Sequence, residues 1–194
     1  MYAGHAAIAL ALKAREPRVP LIVLALACYG PDWMEVALML PHPREGMAPY
    51  THSVPAVLVG AILSCALYAV VVGRSGALQI LLGWLLHWPA DLITGLKPIV
   101  GLNTLIGLDL YHAPLADFAV ESAIVIVGCA LYARTFARTA RQRCLVIAMG
   151  TALAALQLGL DTVEATTELQ PWGPKLADRS TQPHVERHSA RSDQ

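Results

Sequence analysis

The run 77–95 is apolar over a length that can cross a bilayer, yet it contains His87 and Asp91. In a helix, residues four apart stack on one face, so this imidazole and this carboxylate point the same way. A charged group at bilayer depth costs at least ~2.5–3.5 kcal/mol, so such residues face a protein interior or a cavity rather than lipid. A neutral histidine beside a carboxylate is also a good ligand pair for a divalent metal. Pro89, between them, leaves the Leu85 carbonyl without its helical donor and predicts a bend there. A chain carrying this run must therefore fold the rest of its helices around the two polar groups.

The remaining sequence can do so. Of the 194 residues, 56% are hydrophobic and only 14% charged, against roughly 25% charged in an ordinary soluble domain. Mean hydropathy is +0.51. The chain reads as an all-α, polytopic helical membrane protein. Apolar runs at 19–40, 54–72, 77–95, 116–133 and 144–163 give about five transmembrane helices. The Ala-rich stretch 4–13 is too short to cross and reads as an N-terminal half-helix. Residues 1–165 thus form a helical transmembrane domain, and the polar stretch 166–194 reads as a disordered tail whose His184 and His188 are solvated. The formal net charge of zero gives no reason to expect nucleic acid as a partner. Cys28, Cys65, Cys129 and Cys144 are widely spaced in apolar segments and read as buried free thiols. Basic residues gather at 13–18, at Arg74 and at 134–143, whereas 41–53 and 96–115 carry only Arg44 and Lys97. The positive-inside rule places the first group in the cytoplasm.

Further polar residues share the apolar runs or their edges. His5 sits near the start of the half-helix. Gly30-Pro31-Asp32 breaks the run 19–40 and leaves Asp32 beside free backbone groups. Thr51-His52-Ser53 immediately precedes the run 54–72, which makes His52 a better ligand candidate than the loop residue His42. Glu121 shares a helical face with Val125 and Gly128, so its carboxylate is expected close against a neighbouring helix. Gln157, Asp161 and Glu164 stack at the end of the last run and read as a wet helix end. Asp32, Asp91 and Glu121 lie within apolar runs, and no Lys or Arg does. Buried carboxylates need protons or a cation. With His5, His52 and His87 available, a divalent metal is the economical cation: zinc first, with manganese or iron also suited to mixed His/Asp ligands.

The order His5, Gly-Pro-Asp at 30–32, Thr-His-Ser at 51–53 and His-x-x-x-Asp at 87–91 resembles the membrane-bound metal-dependent hydrolase family of the bacterial inner membrane. Gly-Leu-Asp-Leu-Tyr at 107–111 followed by Glu121 resembles the later part of a related subgroup. Two departures stand out: Trp33 and Met34 follow Asp32, with Glu35 the next acid, and His42-Pro43-Arg44 lies upstream of Thr-His-Ser rather than joined to it. The family has been compared with zinc-dependent phospholipase C. The resemblance implies His5, Asp32, His52, His87 and Asp91 as metal ligands. Asp91 or Glu121 would serve as general base, and a membrane lipid or lipid-linked (phospho)ester would be the substrate. Two other functions remain compatible with the residues. Intramembrane His and carboxylate groups also serve proton and ion transport, although no inverted repeat is visible among the five runs. A non-catalytic membrane protein with a structural metal site is the third.

Overall fold

A computed structural model describes residues 2–40, 48–100 and 104–167. The described residues form α1 (Ala3–Arg15), α2 (Leu21–Cys28), α3 (Gly30–Met39), the single turn α4 (Ala48–Thr51), α5 (Val54–Val71), α6 (Ala77–Thr94), α7 (Pro114–Phe136) and α8 (Ala140–Thr167). Between α6 and α7, Lys97–Pro98 pairs antiparallel with Leu105–Ile106, and a 3-10 turn covers Leu110–His112. The fold is all-α. Prolines in the first turns of α3, α5 and α7 start those helices where a missing N–H costs nothing.

Among the described residues three helices are long and apolar enough to cross a membrane: α5, α7 and residues 140–163 of α8. The expected run 19–40 is two helices, α2 and α3, bent by 63° at the Gly-Pro break; together they qualify as a fourth. The expected run 77–95 is one helix, continuous through Pro89, but Gln79, His87 and Asp91 dilute its apolar character. It is central to the bundle: nine of its eighteen residues are buried, while α5 buries only Val57, Gly60 and Ala61. Many large apolar side chains face outward, while a set of polar ones is buried beside the apolar cores. Ile62, Leu67, Val70, Ile126, Val127 and Ile147 are exposed, whereas His5, His52, His87, Asp91, Glu121 and Gln157 are buried. That distribution suits hydrocarbon surroundings and is consistent with a membrane protein.

The half-helix α1 lies deep in the bundle. It forms the wall between two apolar cores. Ala9 and Leu12 pack with Leu24, Ala27, Ile80 and Trp84 of α2 and α6. Ala3, Ala7 and Leu10 pack with Val125, Cys129 and Val146 of α7 and α8. It runs parallel to α7: the Gly4 amide meets Glu121 at one end, and the Lys13 ammonium lies 5.5 Å from the Phe136 ring centre at the other. Between them, a Cβ at Gly128 would stand 2.5 Å from the Ala7 carbonyl oxygen. Small residues allow two helix backbones to approach this closely. The segment after the paired strands folds back on the end of α6, where the Leu108 amide donates to the Leu92 carbonyl at 2.8 Å.

Trp84 fills the gap between α3 and α5, its ring lying over Gly30 and Gly60. A Cβ at either glycine would overlap the indole. Overpacking of this kind costs about 1–3 kcal/mol, so Gly60→Ala should lower the thermal unfolding midpoint in detergent. An unchanged midpoint would mean that Trp84 does not hold this position.

Two expectations need correction. The end of the last run is not wet at these positions: Gln157 is buried against α1, and Asp161 is buried beside Gln157. The cysteines are free as expected, but Cys144 is exposed and Cys65 partly so. His42 and nearly all of the expected tail lie outside the described residues.

Candidate metal centre

Four separate pieces of local structure deliver the site. The α2–α3 break places Asp32 in the first turn of α3, with Glu35 buried one turn on. The turn Thr51-His52-Ser53 leads into α5, and all three of its residues are buried. Helix α6 presents His87 and Asp91 from one face. The first turn of α1 brings in His5.

The five residues expected as ligands converge. Asp91 Oδ1 lies 3.1 Å from His5 Nε2, and its Oδ2 lies 3.3 Å from His87 Nε2 and 3.7 Å from His52 Nε2. Asp32 Oδ1 lies 3.1 Å from His52 Nε2 and 3.7 Å from His87 Nε2. The imidazoles touch one another: His5 stacks on His87 with ring centres 4.0 Å apart, and His52 lies 5.1 Å from His87. Two triads, His5/His87/Asp91 and Asp32/His52/His87, each have ligand atoms within 4.8 Å of one another, and His87 belongs to both. This buried His/Asp group could hold a metal ion.

The surrounding groups prepare the imidazoles for that task. His87 Nδ1–H donates to the Cys28 carbonyl at 2.8 Å, which fixes the tautomer and leaves the Nε2 lone pair facing Asp91 and Asp32. His87 Nε2 and both ring nitrogens of His5 are buried without a hydrogen bond. The His87 lone pair, held against carboxylate oxygens in a buried site, is unfavourable unless a proton or a metal cation lies between them. His52 Nδ1 has Thr51 Oγ1 at 2.8 Å and Glu35 Oε2 at 3.4 Å. Thr51 is thus the hydrogen-bond partner behind this imidazole, with the Glu35 carboxylate close beside it, and groups in that position orient a ligating histidine. Burial lowers the His52 pKa below its ordinary value, against the opposing pull of Asp32, and so favours the neutral, ligating form.

Sequence reasoning missed one member. Lys97 Nζ lies 2.7 Å from Asp91 Oδ2, and both side chains are buried. Lys97 lies outside the apolar runs, yet it reaches a carboxylate within one of them. The paired strands after α6 turn Lys97 back onto Asp91. A signal was present: Lys97 is the only Lys or Arg between residues 75 and 133, and it sits in the apolar stretch Gly-Leu-Lys-Pro-Ile-Val.

Glu121 also needs revision. It is fully buried close against a neighbouring helix, as its face predicted, but it belongs to neither triad. Both its oxygens accept backbone amides of α1. A carboxylate so engaged is not placed to serve as general base.

No family model, curated protein or solved structure matches this chain.

Proposed function

We propose that this protein is a membrane-embedded, metal-dependent hydrolase acting on a lipid or lipid-linked ester, with the two triads as its metal site. The observation that carries the reading is His87. Its Nδ1 proton is committed to the Cys28 carbonyl, and its buried Nε2 faces two carboxylates from different helices. Charge points the same way: Asp32, Glu35 and Asp91 line the cluster, and among the described residues Lys97 supplies the one ammonium in contact with it. His5, Asp32, His52, His87 and Asp91 would hold the ion. Zinc is the first choice for three imidazoles with carboxylates, ahead of manganese or iron. Such an ion supplies Lewis acidity and an activated water near neutral pH. The protein's own residues do the rest. Thr51 and the Cys28 carbonyl fix two imidazoles, Lys97 holds Asp91 in place, and Asp32, with 39% of its side chain exposed, is the carboxylate open to an incoming water and its proton.

In this reading α2–α3 forms one bent span and α6 another. With α5, α7 and α8 they make five spans and the α1 half-helix, in a bacterial inner membrane with the basic ends in the cytoplasm. Lys97 favours a second reading, in which the buried Lys97–Asp91 ion pair makes the cluster a structural element without metal.

Metal content separates the two. Detergent-purified protein should carry about one or more divalent ions per chain by plasma mass spectrometry, and His87→Ala should lose them. Lipid phosphoesters and acyl esters would then be screened by mass spectrometry for metal-dependent cleavage. Absence of metal after reconstitution would overturn the hydrolase and leave the structural reading.

A further inference from the structure

We infer that Glu121 and Gln157 are positioning residues that clamp the first turn of α1 and thereby hold His5 in the metal site; the inference rests on the metal-site reading above. A helix begins with amides that have no partner within the helix. In hydrocarbon surroundings water does not supply one, so each needs an acceptor from the protein. The N-cap residue of α1, Tyr2, provides no side-chain cap, and the first turn has no acidic residue. The acceptors come from two other helices. Glu121 of α7 receives the Tyr2 amide at 3.0 Å and 3.2 Å and the Gly4 amide at 2.9 Å. Gln157 of α8 receives the Ala3 amide through Oε1 at 3.1 Å. Its own amide nitrogen donates to Asp161 at 2.6 Å, which fixes which end of the side chain faces α1. Glu121 and Gln157 are fully buried.

Three consecutive amides are thus held from two directions, and the last of them directly precedes His5. The clamp sets both the depth and the rotation of α1. Its carboxylate also sits at the positive end of the helix dipole. On the opposite side the Tyr29 hydroxyl donates to the Tyr2 carbonyl at 2.6 Å, and the Tyr29 ring meets His5 edge-on at 5.3 Å. His5 has little room to move: it is stacked on His87 and points its Nε2 at Asp91. Glu121 acts on the site only through α1. Outer groups that orient a ligand typically change metal affinity about 10–100-fold.

The test is a double-mutant cycle read by Zn2+ competition against a chromophoric chelator, beside hydrogen exchange of the peptide covering the first turns of α1. Glu121→Leu and Gln157→Leu should each weaken Zn2+ binding about 10–100-fold and speed exchange there. Glu121→Gln, which keeps one acceptor oxygen, should fall between Glu121→Leu and wild type. In a His5→Ala background Glu121→Leu should cost no further affinity, whereas a merely structural role would lower affinity equally in both backgrounds. Equal losses in the two backgrounds, or unchanged affinity in Glu121→Leu, overturn the inference. If wild type binds no Zn2+, the metal reading fails by itself, and exchange decides the clamp: faster exchange in Glu121→Leu supports it, unchanged exchange overturns it.

Discussion

Asp91→Ala should destabilise the protein by about 3–5 kcal/mol, and Asp91→Ala/Lys97→Met should recover part of that loss. Lys97 Nζ and Asp91 Oδ2 are 2.7 Å apart, and both side chains are buried. Removing the carboxylate alone leaves an ammonium inside the protein without its counter-charge. Replacing both members with apolar groups removes the charge together with its partner, which is often neutral or favourable. The check is the thermal midpoint of each variant in detergent, with Lys97→Met completing the cycle. A double variant no more stable than Asp91→Ala would show that the ammonium does not depend on Asp91. Neither Asp91 variant should hold metal, because the carboxylate whose two oxygens face all three histidines is gone.

Lys97→Met alone should have the opposite effect on metal. An ammonium on a ligand oxygen competes with a divalent cation for the same lone pairs. Two unit charges ~4 Å apart at an effective dielectric of ~20 interact by roughly 4 kcal/mol. Removing this ammonium should therefore tighten zinc binding by about 10–1,000-fold, read by competition with chelators of graded affinity. Unchanged affinity would mean that Lys97 leaves Asp91 freely when metal arrives. Weaker affinity would mean that Lys97 supports the ligand set instead of opposing the ion. Lys97 is thus the residue on which the catalytic and structural readings of the cluster differ most.

The site's five ligand candidates were legible because each stands out locally. His87 and Asp91 interrupt an apolar run at helical spacing, Asp32 follows a Gly-Pro break, His52 opens a helix, and His5 begins an apolar one. The groups that tune them were not legible, because they act through pairs distant in sequence. The Cys28 carbonyl reaches His87 across 59 positions, and Glu121 reaches the Gly4 amide across 117. Backbone acceptors leave no mark in a sequence, and a carboxylate that caps another helix looks the same as one that binds metal. Lys97 was hidden by a turn: nothing in Gly-Leu-Lys-Pro states that the chain doubles back onto α6. Helix existence followed from apolar length, but the role of each helix did not. The run 77–95 is the polar-bearing centre of the bundle, and the short stretch 4–13 is its inner wall.

The clamp on α1 also orders assembly. Residues 3–15 leave the ribosome well before residues 121 and 157, which supply the acceptors for their first amides. Until α7 and α8 are in the membrane, those amides have no place in the apolar phase and are better left at its aqueous border. The helix that comes earlier in translation should therefore be seated later in folding, leaving a polar centre built partly on it open until the bundle closes. Truncation before α8 should leave α1 accessible to protease, which makes the seating of α1 a signature of finished biogenesis.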